Sequence, residues 1–217
     1  MWYYLAMTRT RLTREESRDL TRQRLLDAAL KVIAQKGLAA ASVEDIALAA
    51  GYTRGAFYSN FGSKNDLFIE LLRRDHDLAS QDFDVLLTGN LSLEQIRLRM
   101  RERYSQLYRD EDCFMNWTEA RLLATRDPEF RTKFSALLAE KRAQTASYVE
   151  FFCQRAGVVP PAAPELIAMG LMSLIEGTRL FMLSTSLMQP EDAEAVLGLF
   201  IDSIMELVCL RGVARPD

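Results

Sequence analysis

The sequence predicts an all-α protein of about nine helices, and three features of the chain support this fold class. Apolar residues recur at three- and four-residue spacing through most of the chain, as they do along one face of a helix. No segment alternates apolar and polar residues in the manner of a strand, and Ser, Thr, Asp and Gly stand where helices would begin and end. The pattern divides the chain into a flexible basic arm at 1–20, a three-helix domain at 21–66 and a larger helical domain at 67–217.

Capping residues mark the N-terminal helices. Residues 21–36 form one apolar stripe and predict an amphipathic helix. Ser42, with Asp45 three residues later, has the spacing of a capping box and predicts the start of a second helix, which ends at Gly51. Thr53 predicts the start of a short third helix.

The fourth helix begins at a predicted cap, Ser63, and is long enough to join the two domains. We therefore expect it to act as the lever between them. Periodicity, caps and proline positions predict the fourth and later helices over residues 63–87, 92–108, 114–124, 128–156, 164–187 and 190–210.

The second and third helices, with the tight turn between them, have the form of a helix-turn-helix. Phe57 and Phe61 are four residues apart and are expected in the core, which leaves the opposite face of the third helix free. Gly55 and Ala56 are unusual on a solvent-facing helix unless another molecule approaches the backbone closely. A DNA major groove is such a partner. Arg54 is then the best candidate for reading a base, through the O6 and N7 atoms of guanine.

Four consecutive segments of this region match a known family. They are LLDAALKVIAQKG, VEDIALAAG, RGAFYSNF and SKNDLF, which together cover about residues 21–72. In these segments the chain resembles the TetR family of transcriptional repressors. The resemblance implies a homodimer that binds a palindromic DNA operator and is released by a small-molecule inducer.

The remaining DNA contacts are inferred partly from the residues and partly from the resemblance. The free amides of the helix that Ser42 begins suit a phosphate, and Thr53 can cap its helix and donate to a phosphate. Tyr52 and Asn60 stand where a small aliphatic residue and His are usual in the family, so the operator sequence does not carry over. The resemblance implies that Gly55 and Ala56 lie against base edges, and that Tyr58 and Asn60 lie near the phosphate backbone or the groove edge. It also implies that Lys64 contacts a phosphate.

The charge is unevenly distributed. The whole chain has a net charge of −3, which does not by itself indicate a nucleic-acid partner. Residues 1–74, however, hold 12 Lys/Arg and 8 Asp/Glu, a net +4, whereas residues 75–217 hold 15 and 22, a net −7. The positive charge is therefore concentrated at the predicted DNA-binding end, which favours binding to DNA there.

The last two predicted helices are too apolar for the surface of a monomer. In residues 164–187, small residues such as Gly170 and Gly177 interleave with large apolar ones such as Met172 and Phe181. A helix that is apolar on two sides needs two partners, so we expect these helices to form a homodimer interface. Burial of both helices within one chain is the alternative.

Aromatic and charged residues of the middle and later helices are candidates for an effector pocket. Trp117 combines a large ring with polar neighbours, while Glu176 and Arg179 are charges in an otherwise apolar helix and need partners if buried. They can pair with each other or with Arg121; an unpaired Glu176 would favour a cationic ligand and an unpaired Arg179 an anionic one. The aromatic residues fit a plain core equally well. The candidate pocket residues are Tyr104, Tyr108, Phe114, Trp117, Arg121, Tyr148, Phe152, Glu176 and Arg179.

The sequence gives no support to an enzyme. His76, the only histidine, lies in a charged run and is expected to face water, and no nucleophile, HExxH motif or Gly-rich phosphate loop accompanies it. We expect no catalytic residue, metal or cofactor. Three widely spaced cysteines indicate reduced thiols in the cytoplasm, and the apolar opening MWYYLAM is too short to span a membrane. A DNA-binding architectural dimer without a ligand is the alternative function.

Overall fold

The computed structural model describes residues 13–88 and 110–211, together with 91–92, 94–96, 98–99 and 102 between them; side chains are described throughout except at 82–88, 201 and 204–211. The fold is all-α, as predicted, and no strand occurs among these residues. Eight helices have defined bounds: α1 Arg14–Lys36, α2 Val43–Ala49, α3 Arg54–Tyr58, α4 Lys64–Thr88, α5 Glu111–Arg126, α6 Pro128–Ala156, α7 Pro164–Ser184 and α8 Pro190–Arg211. Residues 94–96, 98, 99 and 102 are also helical, within the predicted helix at 92–108. The rest of that helix lies outside the described residues.

The first helix starts earlier than the sequence analysis predicted. Thr13 and Glu16 form a capping box, in which Thr13 Oγ1 accepts from the Glu16 N–H at 3.1 Å and Glu16 Oε2 accepts from the Thr13 N–H at 2.7 Å. The helix therefore begins at Arg14 and not at residue 21. The first turns of the helix are exposed and pack against no core, so their residues show no apolar stripe. Of the predicted arm, residues 1–12 lie outside the described residues.

The chain divides into two compact units, Met1–Leu71 (unit 1) and Leu72–Asp217 (unit 2). The division falls inside α4, five residues after the boundary expected at 66. Unit 1 has its own core, in which α1 packs against α2 and α2 against α3. The fully or almost fully buried side chains of this core are Leu25, Leu26, Ile33, Ile46, Phe57, Phe61, Leu67, Phe68 and Leu71.

Unit 2 is built on α6 and α7, which pack against each other, with α5 against α6 and α8 against α7. Gly157 ends α6 with φ at +68°, a left-handed conformation that glycine adopts at little cost. Three small clusters of buried residues join the helices of this unit. They are Val149 with Cys153, Met182 with Ala193 and Leu197, and Ile96 with Tyr148 and Phe152.

Helix α7 is unusually apolar for a helix with so much exposed surface. Its length and composition would allow it to cross a membrane, but the apolar core helices of soluble proteins meet the same criteria. Only 22% of its most apolar 18-residue window is buried in the chain. One face carries exposed residues at positions 166, 169, 170, 173, 177, 180 and 181, which are three or four apart. Packing among the described residues therefore leaves an apolar face of α7 uncovered.

Candidate DNA-binding and effector sites

Two N-caps fix the helix-turn-helix. Ser42 Oγ accepts from the Asp45 N–H at 3.0 Å, and Asp45 Oδ2 accepts from the Ser42 N–H at 3.0 Å, which completes the predicted capping box of α2. Hydrogen bonds from Lys36 and Ser42 hold the pKa of Asp45 well below its usual range. Gly51, with φ at +76°, makes the turn after α2, and Thr53 Oγ1 accepts from the Ala56 N–H at 3.3 Å to start α3.

Helix α3 has only five residues, so it depends on its surroundings for order. Phe57 is fully buried, and its ring lies 5.7 Å from that of Phe61. Arg22 of α1 holds the far end of α3: its guanidinium donates to the Asn60 carbonyl and to the Glu70 carboxylate of α4, and stacks 4.5 Å above the Phe61 ring. This three-way contact of Arg22 ties the end of α3 to α1 and α4 within unit 1.

The opposite face of α3 is exposed, as predicted, and Arg54 stands at its start. The Arg54 side chain is 63% exposed and pairs with Glu44 of α2 at 2.7 Å. Its guanidinium also lies 5.5 Å from the Tyr58 ring centroid, and contacts with Tyr58 and Glu44 raise the pKa of Arg54. Exposed ion pairs contribute little to stability, so Arg54 can leave Glu44 for another anion at small cost.

The structure gives Gly55 no role in packing. A Cβ added at this position would meet only Thr53 Oγ1, at 3.7 Å, which is an ordinary contact. Glycine is also less favourable than alanine inside a helix by about 1 kcal/mol. The fold of the chain therefore does not require the glycine, which is consistent with close approach by a second molecule.

Three other predicted DNA contacts use their polar atoms within the chain. The Asn60 amide donates to the Ala56 carbonyl at 2.8 Å, and the Ser42 hydroxyl donates to Asp45 at 2.8 Å. Lys64 Nζ donates to the carbonyls of residues 38 and 41 at 2.6 and 2.7 Å, and burial lowers the Lys64 pKa. Two of the three ammonium donors of Lys64 are thus used, so at most one is left for a phosphate.

The phenol of Tyr52 lies against α1, because it forms hydrogen bonds with Thr21 and Arg24 of that helix. These hydrogen bonds lower the pKa of Tyr52.

In unit 2 the structure brings together three of the predicted pocket residues. Arg121 of α5 forms an ion pair with Glu176 of α7, one of the two pairings that the sequence left open. The Trp117 ring lies 6.0 Å from Phe134 of α6, and Arg121 lies 5.9 Å from the same Phe134 ring. Lys141 Nζ lies 4.3 Å from the Trp117 ring centroid. Because Glu176 already has a cationic partner, the condition under which a cationic ligand was expected is not met.

Two cavities meet at Glu176 and Met172 of α7. The larger, of about 300 Å³, is lined by Arg121 and Glu176 and by Ser135, Leu138, Ala139, Arg142, Met169, Met172 and Ser173. The smaller, of about 120 Å³, is lined by Tyr148 and Glu176 and by His76, Ala79, Ser80, Lys141, Gln144, Thr145, Leu171, Met172 and Ile175. His76 is half-buried in this cavity, and burial lowers its pKa, so the expectation that it faces water was wrong.

Three of the other predicted pocket residues lie apart from these cavities. Phe152 packs with Ile96 in a buried cluster. Arg179 is 6% exposed; its guanidinium donates to the Asp110 carbonyl at 2.7 Å and stacks 4.4 Å above the Phe114 ring. The structure thus places Phe114, Phe152 and Arg179 in the packing of unit 2. Tyr104 and Tyr108 lie outside the described residues.

Lys141 is the cavity residue that the sequence analysis missed. It is on the face of α6 that also carries Phe134, Leu137, Thr145 and Tyr148, at spacings of three or four residues. A lysine inside such a stripe is the signal that could have identified it, since a charge facing the core needs a functional or structural partner.

A half-buried polar pair lies between α4 and α5. The Cys113 thiol donates to Asp75 Oδ2 at 3.6 Å, and burial, assisted by the Asp75 charge, raises the pKa of Cys113 to about 12. Burial likewise raises the pKa of Asp75 to about 6, while Arg74 and Lys141 act in the opposite direction. Cys113 and Cys153 are free thiols, and Cys209 has no described side chain.

Replacing Asp75 by Asn should change the pH dependence of stability. The folded-state pKa of about 6 lies above the ordinary value of about 3.9, so the folded protein retains a proton that the unfolded chain has lost. The contribution of Asp75 to the free energy of unfolding therefore falls as pH rises from about 4 to 6, and it stays unfavourable above that range. We expect Asp75→Asn to be more stable than the unmodified protein at pH 7 by about 1–3 kcal/mol, and equal to it at pH 4.

Urea unfolding at the two pH values measures this effect. Asp77→Asn, which changes an exposed carboxylate two residues away, serves as the control and should give no such difference. An equal change in stability at pH 4 and pH 7 for Asp75→Asn would contradict the assignment.

Taken together, the geometry of unit 1 defines a class of protein. Two capped helices, a tight turn and an exposed second helix that carries an arginine at its start constitute a helix-turn-helix domain. Comparison with known sequences finds the same type of domain in one family of regulators. Residues 25–71 match the model of bacterial regulatory proteins, tetR family. Over this N-terminal stretch the chain is similar to the TetR family, as the sequence motifs indicated.

Individual relatives extend the likeness. The HTH-type transcriptional regulator AcrR of Shigella flexneri is 48% identical over 61 residues, 28% of each chain. The HTH-type transcriptional repressor AcnR of Corynebacterium efficiens is 31% identical over 119 residues, 53% of this chain and 56% of AcnR. These alignments span about a quarter to a half of the relatives' lengths. Both relatives are named as regulators, in agreement with the prediction that the chain is not an enzyme.

The fold is shared over a greater length than the sequence. The transcriptional regulator FadR of Bacillus subtilis, solved in complex with stearoyl-CoA, superposes with a TM-score of 0.68 over 87% of this chain and 97% of its own, at 20% identity. At this identity the match establishes the fold alone.

Proposed function

We propose that the protein is a DNA-binding transcriptional regulator that acts in the cytoplasm as a homodimer on a palindromic operator. The observation that carries the proposal is the exposed face of α3, which is held rigidly from behind by Phe57 and Arg22 and presents Arg54 and Gly55. A short rigid helix with an arginine at its start suits insertion into a major groove. The family assignment of unit 1 supports the same function.

The uncovered face of α7 supports the homodimer. Leu166, Leu180 and Phe181 are 61%, 49% and 45% exposed on it, and Leu199 of α8 is 65% exposed. Gly177, like residue 170 on the same face, has no atom within 4 Å of an added Cβ, so packing within one chain requires neither glycine. Glycines on an apolar helix face allow a second helix to approach closely. A second copy, with the same face, is the occupant we propose. The dimer would place two α3 helices in successive major grooves, about 34 Å apart.

The two cavities in unit 2 support a small-molecule effector. In the proposed coupling, the effector binds among α5, α6 and α7 and changes the position of α4, which continues from unit 1 into unit 2. The separation of the two α3 helices then no longer matches the operator. Release from DNA would make the protein a repressor, the role named for AcnR. The alternative function, a DNA-binding architectural dimer without a ligand, would require helices that pack without a cavity. The two cavities in unit 2 do not favour it.

Replacing Arg54 by Ala tests the DNA-binding surface. We expect a loss of about 1–3 kcal/mol on the DNA flanking the protein's own gene, and a much smaller loss on random DNA, because the guanidinium reads a base. Fluorescence anisotropy over a salt titration measures both affinities. Lys31→Ala is the control, since Lys31 is an exposed cation on α1 of the same unit. Equal losses on both DNAs would make Arg54 a phosphate contact, and no loss on either would refute the surface.

A further inference from the structure

Among the described residues, Lys141 has no partner of the kind that a half-buried ammonium requires. Its Nζ lies against the Trp117 ring, and in the described part of the chain it makes neither a hydrogen bond nor an ion pair. The nearby carboxylate of Glu176 is held by Arg121. Burial lowers the pKa of Lys141, which reflects the cost of keeping this charge away from water. A cation–π contact compensates only part of that cost.

The smaller cavity places neutral hydrogen-bonding groups beside Lys141. Ser80 and Gln144 are hydrogen-bonded to each other, with Gln144 Oε1 as the acceptor, which leaves the amide nitrogen of Gln144 as its donor. His76 lines the same wall, and its lowered pKa favours the neutral imidazole, one nitrogen of which can donate. A positive charge with neutral donors around it is the environment of a bound anion.

The cavities also have an apolar continuation. Met172 lines both of them, and Leu138 and Met169 line the larger one. Beyond Glu176, the larger cavity carries two further cations, Arg121 and Arg142. The residues that line the two cavities thus include three cations and one carboxylate, Glu176, which is already paired, so the lining disfavours a cationic ligand.

We propose that the effector is an amphipathic organic anion, whose carboxylate or phosphate binds Lys141 in the smaller cavity and whose apolar part lies along Met172 toward the larger one. The proposal rests on the proposed function, since it names the chemistry of the effector. The smaller cavity, at about 120 Å³, accommodates an anionic head group, and the larger one is at the lower end of the range for small-molecule sites.

Four probes that share a six-carbon chain test the proposal by isothermal titration calorimetry on the full chain without DNA. They are hexanoate, hexyl phosphate, neutral hexanamide and hexylammonium. We expect one or both anions to bind with a dissociation constant about tenfold or more below those of the amide and the ammonium. A preference between hexanoate and hexyl phosphate identifies the head group.

Lys141→Met keeps the length of the side chain and removes its charge, so it should abolish the preference for anions while leaving the protein folded by circular dichroism. Lys133→Met is the control, because Lys133 is on the same helix but pairs with Glu129 outside both cavities. A preference for hexylammonium, equal binding of all four probes, no binding at millimolar concentration, or an unchanged anion preference in Lys141→Met would overturn the proposal. None of these outcomes affects the Arg54 test, which is made on DNA without a ligand.

Discussion

Replacing Gly177 by Trp should convert the proposed homodimer into monomers. No atom of the described residues lies within 4 Å of a Cβ added at Gly177, which is on an exposed face of α7. We therefore expect the chain to keep its fold, whereas the indole should block the close approach of a second α7. Overpacking costs about 1–3 kcal/mol at each site, and a two-fold interface contains the substitution twice, so the dissociation constant of the dimer should rise about 100-fold or more. Sedimentation equilibrium measures this change directly.

The same variant should lose most of its affinity for the operator, because linked half-sites gain about 100-fold or more over a single site. Gly177→Ala is the matched control; a single methyl group should leave the dimer intact and strengthen α7 slightly. The interface assignment fails if Gly177→Trp remains a dimer, or if the unmodified protein is monomeric at micromolar concentration.

Replacing Arg22 by Ala should loosen the packing of α3 against α1 and α4. The substitution removes charge-assisted hydrogen bonds to the Asn60 carbonyl and Glu70, together with the contact over Phe61. Such bonds are worth about 1.5–3 kcal/mol, and partial exposure of Arg22 places the expected loss of stability in unit 1 near the lower end. Urea unfolding measures the loss, and hydrogen exchange should quicken at the amides of residues 57–61.

The variants Arg22→Lys and Arg18→Ala complete this experiment. Lysine retains the charge but lacks the planar fork, so it should give an intermediate loss of stability. Arg18 is exposed one turn earlier on α1, and its removal should have little effect on unfolding or exchange. If Arg22→Ala behaves like Arg18→Ala, the anchoring role is wrong.

The sequence predicted those features that depend on neighbouring residues. The caps at Ser42 and Thr53, the left-handed Gly51 and the start of α6 after Asp127 all depend on atoms within a few residues. The cap at Thr13 was readable on the same basis, but it was missed because the first turns of α1 lack an apolar stripe. Helix starts and ends are local properties, and they were therefore predicted to within a few residues in most cases.

Contacts between residues that are distant along the chain could not be predicted from the sequence. Lys64 has the positive charge expected of a phosphate contact, yet its ammonium donates to two backbone carbonyls that lie 23 and 26 residues earlier in the chain. Glu176 could have paired with either of two arginines, and only the packing of α5 against the later helices decides for Arg121. The position of Lys141 over Trp117 likewise depends on how α5 and α6 pack. Side-chain type limits such partners, but the tertiary fold chooses among them.

The anchoring of α3 has a consequence for how this protein can change over evolution. The groups that order the helix are the Thr53 cap, the buried Phe57 and the Arg22 contact at its far end, none of which needs Arg54, Tyr58 or Ser59. Substitutions at those exposed positions alter the surface offered to DNA without removing what folds the domain. If the proposed function holds, new operator preferences can arise one residue at a time, while the scaffold and the proposed response to an effector are inherited intact.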